Sequence, residues 1–277
     1  MQRAAGLRAQ AYNQIAAIEP SMRQVERRPK IRFQDISKSF VVGGGRNTVL
    51  DGIDLEIAEG HFVSILGESG CGKTTLLRIA AGLIPPSRGT VTLDDTVVTR
   101  PGRNMGFVFQ QPVLLEWRTV MENVLLPIEI FQLKVRDFRP KARELLKMVG
   151  LGEFESHYPI QLSGGMQQRV AIARALVLAP SLLLMDEPFG ALDAITREQM
   201  NMELLRIWAM SGTTAIFITH DIAEATFLSD RVVVLGSRPG RVKEVFDIGL
   251  PRPRVPEHRF DDRFISLCRD MKQCMMA

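Results

Sequence analysis

Uninterrupted apolar runs, spaced along the chain, predict its core. Residues Leu182–Met185, Ala215–Ile218 and Val232–Leu235 are apolar throughout, which is typical of parallel strands covered on both faces. Residues 53–57 instead alternate between apolar and acidic side chains, which indicates a strand with one buried face. Because helical segments separate these strands, the pattern predicts an α/β fold.

A helical segment divides the predicted sheet in the sequence. Residues 62–66, 89–93 and 105–109 are further strand candidates, and apolar residues then recur at three- and four-residue steps between Val135 and Val149. This spacing predicts an amphipathic helix that ends near Gly150, because glycine favours the position after a helix. We therefore expect a mostly helical insert from about residue 112 to 179.

The two ends of the chain differ from this core. Residues 1–30 contain six Lys or Arg and two Glu, and we expect a flexible basic extension or, alternatively, an arm that binds a membrane surface or a partner. Beyond Pro256, the residues Phe260, Phe264 and Leu267 recur at helical spacing. They predict a C-terminal packing helix within residues 256–277.

Composition and charge exclude several classes of protein. The chain is 45% apolar and 24% charged, as in ordinary globular domains, and no run approaches the roughly 18 apolar residues of a membrane helix. The net charge of +4 resides in residues 1–30, so the neutral remainder argues against a nucleic-acid-binding face. Three cysteines without metal-ligand spacing, and no apolar secretory core, predict a cytoplasmic location.

Residues 67–74 form a complete phosphate-binding pattern. They read Gly-x-x-x-x-Gly-Lys-Thr directly after the apolar residues 62–66, and such a loop connects a strand to a helix. The glycines let consecutive N–H groups face phosphate oxygens, while Lys73 would reach the β- and γ-phosphates and the Thr74 hydroxyl would bind Mg²⁺. The residues predicted to hold the nucleotide are Gly67, Glu68, Ser69, Gly70, Cys71, Gly72, Lys73, Thr74 and Thr75.

Cys71 lies in this loop at the start of the predicted helix. A helix N-terminus favours the thiolate form of a cysteine. One hypothesis is therefore a reactive thiol whose alkylation inactivates the protein and which bound nucleotide protects. The alternative is a small residue that fills the loop and can be alkylated without loss of activity.

Polar side chains follow the other predicted strands. Asp186 and Glu187 end one apolar run, and His220 and Gln110 follow two others. Because ligands bind at the carboxyl edge of an open α/β sheet, we expect these side chains to meet there. Asp186 could hold Mg²⁺, Glu187 could polarise an attacking water, and the uncharged Gln110 could contact the metal or the water. Gln111 is adjacent, and register alone favours Gln110.

A second glycine-rich helix start follows in the helical insert. Residues 162–169 read Leu-Ser-Gly-Gly-Met-Gln-Gln-Arg, which predicts a serine N-cap followed by exposed N–H groups that suit an anion. One nucleotide needs one such cradle. Ser163, Gly164 and Gly165 would therefore close on the γ-phosphate of a nucleotide held by another copy of the chain.

Together these motifs resemble the ATP-binding subunits of ABC transporters, over about residues 31–255. Residues 67–74 are similar to the Walker A loop of that family, 162–167 to its signature, 182–187 to its Walker B strand and 190–193 to its D-loop. Gln110 is similar to the Q-loop glutamine, His220 to the switch histidine, and Phe40 to the aromatic residue that stacks on adenine. The resemblance implies a P-loop NTPase core of the ABC type, with an antiparallel β subdomain and a helical subdomain.

The resemblance also implies a mechanism and a set of partners. Two copies would form a head-to-tail homodimer around ATP, with Glu187 activating water, His220 orienting it, and Thr74 and Asp186 holding Mg²⁺ while Lys73 offsets developing charge. The dimer would lie at the cytoplasmic face of the cell membrane, bound to integral permease subunits. An extracytoplasmic solute-binding protein would be an indirect partner, and nucleic acid would not be one.

Finer motifs narrow the type of transporter. Residues 109–124 and 235–242 resemble importers of the nitrate/sulfonate/taurine group. The alternatives are the ATPase of a lipid-trafficking or export system, a soluble ABC ATPase that acts on nucleic acid or ribosomes, and a non-catalytic nucleotide sensor. The solute would be chosen by the permease and the binding protein.

Overall fold

The computed structural model describes residues 28–277, so the prediction of a flexible extension falls almost entirely outside the described residues. The strands are β1 (Pro29–Val42), β2 (Gly45–Ala58), β3 (Phe62–Gly67), β4 (Arg88–Leu93), β5 (Thr96–Val97), β6 (Met105–Val108), β7 (Leu182–Asp186), β8 (Thr214–Thr219), β9 (Arg231–Leu235) and β10 (Val242–Asp247). The helices are α1 (Lys73–Ala80), α2 (Val120–Ile130), α3 (Val135–Met148), α4 (Gly164–Leu176), α5 (Ala194–Ser211), α6 (Ile222–Leu228) and α7 (Asp262–Met276).

Four strands form an antiparallel sheet in the order β2-β1-β4-β5. In β2, the side chains of Ile53, Leu55 and Ile57 are buried while their neighbours Asp54 and Glu56 are exposed. This confirms the predicted strand with one buried face, because successive side chains of a strand point to opposite faces.

The other six strands form the central sheet, in the order β10-β9-β3-β8-β7-β6. All of its neighbouring strands are parallel except the edge pair of β9 and β10, which is antiparallel. Every residue of β3, β7 and β8 is buried. The predicted strands with two covered faces are thus confirmed, whereas β10 was not among the predicted strands.

Two apolar clusters cover the two faces of the central sheet. Alternate residues of β3 contribute to each: Phe62 and Leu66 pack with the helical insert and the C-terminal helices, and Val63 and Ile65 pack with α1 and the antiparallel sheet. The central sheet is therefore the layer that joins the other parts of the molecule.

The segment between β6 and β7 is helical, as predicted, and contains α2, α3 and α4. Helix α3 ends where the sequence indicates: Gly150 has a φ of 71°, and the N–H of Leu151 donates to the carbonyl of Leu146 over 2.7 Å. This is the closure that a glycine after a helix permits.

The C-terminal helix α7 is present, but one of its predicted packing residues is not part of it. Phe264 and Leu267 are buried, together with Met271. Phe260 instead lies in the 3₁₀ turn Pro256–Phe260 and is 81% exposed. The prediction for Phe260 is wrong because Asp261, in extended conformation, separates the turn from the helix. Within the described residues, none of the helices has the length and apolarity needed to span a membrane.

A buried arginine anchors the segment that leads to α7. Arg254 is 4% exposed; its guanidinium donates to the carbonyls of Phe227 (3.2 Å) and Ser229 (2.8 Å) at the end of α6, and to Leu250 and Pro251. Burial lowers the pKa of Arg254 to about 10, so the side chain is still charged at neutral pH. It supplies donors to carbonyls that a helix end leaves unpaired.

We expect Arg254→Gln to lower the free energy of unfolding by about 3 kcal/mol, because several buried carbonyls lose a charged donor. Arg136, whose side chain is 81% exposed, provides the control: Arg136→Gln should stay within about 0.5 kcal/mol of the parent chain. Urea denaturation followed by circular dichroism measures both. Equal stability of the two variants would contradict the anchoring role.

Candidate functional site

The ends of three parallel strands bring the predicted site residues to one edge of the central sheet. Leu66 pairs with Thr219, and Asp186 pairs with Ile218. The phosphate-binding loop, Glu187 and His220 therefore leave the sheet side by side. This confirms the expected placement at the carboxyl edge of the sheet.

The phosphate-binding loop is held in a tight turn by its glycines. Gly72 has a φ of 100° and precedes α1, whose N-terminus has no side-chain cap. A Cβ at Gly72 would lie 2.6 Å from Leu50 Cδ2, and one at Gly67 would lie 2.9 Å from the carbonyl oxygen of Leu235. A side chain at either position would collide with these neighbours, so only glycine lets the loop backbone pass this close to them. The N–H groups at the start of α1, which no side chain caps, are open to an anion.

Lys73 is folded over this loop. Its side chain is 5% exposed, and Nζ donates to the carbonyls of Gly67 (2.8 Å) and Glu68 (3.0 Å). Nζ also lies 3.7 Å from Glu187 Oε1. The ammonium group is thus positioned between the loop and the carboxylate that follows β7.

Thr74 and Asp186 are paired, as a shared metal would require. The Thr74 hydroxyl donates to Asp186 Oδ1 over 2.9 Å. Burial raises the pKa of the Asp186 carboxyl, the hydrogen bond from Thr74 opposes this shift, and the charge of Glu187 adds to it. Among residues 28–277 no three His, Cys, Asp or Glu cluster as a self-contained metal site. One carboxylate and one hydroxyl suit Mg²⁺, which usually takes its remaining ligands from water and phosphate.

Glu187 and His220 form a hydrogen-bonded pair. His220 Nδ1 lies 3.2 Å from Glu187 Oε2, and the Glu187 side chain is 21% exposed, which leaves access for water. Glu187 has a φ of 43°, a left-handed conformation that is costly for a residue with a side chain and is enriched at functional sites. The amide of Gln110 is nearby: a Cβ built on Gly190 would lie 3.9 Å from Gln110 Nε2 and 3.8 Å from Glu187 Oε2.

The expected thiolate character of Cys71 is wrong. Cys71 is 1% exposed, and burial raises the pKa of its thiol more than the positive charge of Lys73 lowers it. Desolvation therefore outweighs the helix N-terminus. The structure favours the alternative, a small side chain that fills the loop.

Ser163, Gly164 and Gly165 form the predicted helix start but interact within the insert. Ser163 is the N-cap of α4, and its hydroxyl accepts a hydrogen bond from the N–H of Met166. Gln167 Nε2 donates to the carbonyls of Pro159 and Leu162. The structure thus confirms the capped helix start, and a role in binding nucleotide remains a prediction.

Phe40 lies on the antiparallel sheet. It pairs with Asn47, three residues before the Leu50 that borders Gly72, and its ring is 39% exposed with Lys38 Nζ 5.1 Å from its centre. An exposed ring on the strand pair that borders the phosphate-binding loop is compatible with stacking on a base, which remains a prediction.

An apolar groove of about 330 Å³ opens between β6 and the helical insert. Phe107, Phe109, Leu126, Ile130 and Arg174 are among its lining residues. The lining residue Phe109 directly precedes Gln110. A partner that binds in the groove would therefore lie next to the loop that carries this glutamine.

Sequence analysis missed a second layer of residues beneath the site. The Thr219 hydroxyl donates to Glu224 Oε2 over 2.5 Å and accepts from the N–H of Asp221. Burial raises the pKa of Glu224, while Thr219 and Asn201 oppose the shift. Arg197 binds carbonyls of the turn after Glu187. The residue types carried no signal, because each is ordinary at its place on a strand, loop or helix and acquires its partners only in the fold.

Comparison with known proteins gives consistent matches. The family model described as "ABC transporter" matches residues 50–190. An uncharacterized ABC transporter ATP-binding protein of Methanocaldococcus jannaschii is 52% identical over 225 residues, which cover 81% of this chain and 84% of the relative. The taurine import ATP-binding protein TauB of Rhizobium johnstonii is 48% identical over 223 residues, covering 80% and 85% of the two chains.

A solved structure matches the fold. It is the dimeric structure of the post-hydrolysis state of an ATP-binding cassette bound to ADP and Pi, which aligns with a TM-score of 0.70 at 36% identity. The alignment covers 80% of this chain and all of that one.

We expect Glu224→Gln to stabilise the protein at pH 8 by about 1 kcal/mol. The pKa of Glu224 is raised above its ordinary value of 4.5, so the stability that its protonated form contributes is lost as the pH rises through the folded-state pKa. A glutamine stays neutral at every pH, and its side-chain oxygen can still accept the hydrogen bond of the Thr219 hydroxyl. Asp221 and Arg197 are the charged neighbours whose effects on Glu224 are opposite.

Thermal unfolding of both proteins between pH 4 and pH 8 measures the difference. The advantage of the variant should shrink towards pH 4, and Glu153→Gln, at an exposed glutamate, should change little at any pH. A constant difference across the pH range would contradict this assignment.

Proposed function

This chain belongs to the ABC transporter family and is an ATPase, and from that premise we propose that it powers a solute importer through a separate membrane permease. Membership confirms the resemblance of its motifs and the predicted α/β fold of the ABC type. The solute that we propose is a small organic or inorganic anion of the sulfonate, taurine or nitrate kind. Support for this class comes from the taurine importer subunit TauB, with which the chain shares 48% identity.

The observation that carries the ATPase assignment is the grouping of Lys73, Glu187 and His220 at one sheet edge. Lys73 would bind the β- and γ-phosphates of ATP. The Thr74 hydroxyl and the Asp186 carboxylate would hold Mg²⁺, with Gln110 as a further ligand or a contact to the water. The metal, when bound, would neutralise charge on the phosphate oxygens.

In this proposal Glu187 is the general base. Its Oε2 accepts a proton from the attacking water, and His220 Nδ1, 3.2 Å away, orients the carboxylate and the water. The ammonium of Lys73, 3.7 Å from Oε1, stabilises the charge that develops on the transferred phosphoryl group. The three side chains are close enough to act on one phosphate.

We also propose that a second copy completes each site. Ser163 caps the start of α4 by accepting from the N–H of Met166, and Gly164 and Gly165 form the first turn of that helix, where N–H groups suit an anion. A head-to-tail homodimer would bring these groups to the γ-phosphate held by the other copy. The dimeric cassette bound to ADP and Pi, 36% identical to this chain, supports this arrangement.

The apolar groove beside Gln110 is the proposed contact with the permease. Its lining includes Ile130, which is 66% exposed. An apolar helix of the permease would cover this residue and become buried in the groove. The complex would lie at the cytoplasmic face of the membrane, and a solute-binding protein on the other side would act on it indirectly. The proposal does not include nucleic acid as a partner.

We expect Glu187→Gln to reduce ATP turnover at least about a hundredfold, because an amide cannot accept the proton of the water. The variant should still bind ATP and should accumulate as a dimer in its presence. Phosphate release and size-exclusion chromatography with and without ATP measure these effects. Normal hydrolysis by the variant would contradict the role of Glu187.

Lys73→Ala provides the comparison for binding. It removes the ammonium that faces the phosphates, so we expect weaker binding of a fluorescent ATP analogue, whereas Glu187→Gln should bind it normally. A non-catalytic nucleotide sensor would instead bind the analogue without any turnover in the parent chain.

Transport itself is tested with the membrane partner. We expect the permease to co-purify with this chain and, in proteoliposomes with the binding protein, taurine, other sulfonates or nitrate to raise ATP hydrolysis and enter the vesicles. Ile130→Asp should abolish co-purification while basal hydrolysis persists, since Ile130 lies outside the nucleotide site. If lipids stimulate ATP hydrolysis and the transported molecule moves outward, the result would favour a lipid-trafficking or export system. If the chain acts on ribosomes without a permease, the result would favour a soluble ABC ATPase.

A further inference from the structure

Arg197, in the first turns of α5, connects two loops of the site. Its Nε donates to the carbonyl of Phe189 over 3.3 Å and its Nη2 to that of Leu192 over 2.8 Å. Its Nη1 lies 3.8 Å from Asp221 Oδ2. One guanidinium thus binds two backbone oxygens on one loop and a carboxylate on another.

The two loops carry the paired side chains of the site. Phe189 and Leu192 belong to the turn that begins immediately after Glu187, and Asp221 is the residue after His220. The distance between Glu187 Oε2 and His220 Nδ1 is 3.2 Å. Any relative shift of the two loops changes that distance, and Arg197 is placed to resist the shift.

The turn after Glu187 is held in a costly conformation. Glu187 has a φ of 43°, and such a conformation persists only where the surroundings hold it. The N–H of Gly190 donates to the carbonyl of Glu187, and the N–H of Leu192 donates to that of Phe189. Arg197 adds two charge-assisted bonds to the same turn, and such bonds are stronger than neutral ones.

On the other loop, the two carboxylate oxygens of Asp221 have different partners. Oδ1 accepts from the N–H of Glu224 over 2.9 Å and caps α6, while Oδ2 faces Arg197. The cap fixes the carboxylate relative to His220. Arg197 can therefore position the loop that carries the histidine through a side chain that is already rigid.

We propose that Arg197 is a positioning residue for hydrolysis, which holds Glu187 and His220 in register without touching ATP. This inference rests on the roles proposed above for Glu187 and His220. It predicts an effect on turnover that is separate from nucleotide binding, since in the described part of the chain the hydrogen bonds and the ion pair of Arg197 go to the loops after Glu187 and His220 and none goes to the phosphate-binding loop.

The test compares Arg197→Gln with Arg206→Gln. Arg206 lies on the same helix and likewise binds a carbonyl, that of Met148, and a carboxylate, that of Glu203, away from the site. We expect Arg197→Gln to lower kcat at least about tenfold, with the affinity for a fluorescent ATP analogue within about twofold of the parent and the melting temperature near that of Arg206→Gln. Arg206→Gln should keep the parent kcat.

A second variant isolates the link to the histidine loop. Asp221→Asn keeps an oxygen to cap α6 but removes the charge that faces Arg197, so its kcat should fall less than that of Arg197→Gln. The double variant should be no slower than Arg197→Gln alone, because both changes break the same connection. Additive losses would overturn the proposal.

Two further results would overturn it. An unchanged kcat in Arg197→Gln would mean that the loops are held without it, and a parallel loss of kcat, ATP affinity and melting temperature would mean a general structural role.

The Glu187→Gln chain separates this inference from its premise. If Glu187→Gln hydrolyses ATP normally, the proposed base is wrong; if it is inactive and Arg197→Gln has normal turnover, the positioning role alone fails. In the Glu187→Gln background, Arg197→Gln should leave the ATP-dependent dimer intact, and loss of that dimer would assign Arg197 to assembly.

Discussion

Strand β3 pairs in parallel with β8 on one side and with β9 on the other, and β7 pairs with β8. Parallel pairing places the carboxyl ends of all these strands at the same edge, so the loops that follow them must converge there. Lys73, Glu187 and His220 are far apart in the sequence, yet they come within 3.7 Å of a neighbour because their strands share this register. A shift of one residue in β7 would move Glu187 away from both partners.

Much of this site follows from the sequence alone. Apolar runs predicted the buried strands, and the polar residue after each run predicted what lies at the edge, which is how Asp186, Glu187 and His220 could be identified. Local rules of this kind fail where a tertiary environment decides. The thiol of Cys71 is the clearest case, because its position at a helix start favours the thiolate while its burial, which the sequence does not reveal, raises its pKa. Phe260 fails for a related reason: its helical spacing is real, but the helix begins two residues later.

The residues that the sequence does not identify are those that act through other residues. Glu224 is buried and partnered by the Thr219 hydroxyl, five positions earlier, and its neighbour Asn201 comes from a different helix. Nothing in the spacing of such residues differs from that of a solvated helix face. Their role depends on distances between elements, and these exist only after the central sheet has brought α5 and α6 together.

The loops at this edge share one physical solution to the same problem. A loop that leaves a buried strand has backbone carbonyls with no partner in the sheet, and a buried unpaired carbonyl is costly. Two arginines supply the missing donors, each from a different helix: Arg174 and Arg197. The first binds carbonyls just after Gln110, and the second binds those just after Glu187, whereas Arg254 binds carbonyls at the far end of α6, away from His220. A guanidinium has several donors in a rigid planar fork and keeps its charge when buried, so it can bind two carbonyls at fixed directions where a lysine would bind one. The loops that follow Gln110 and Glu187 are therefore each held by an arginine other than Lys73, and the charge needed for holding these loops stays apart from the charge proposed to act on the phosphates.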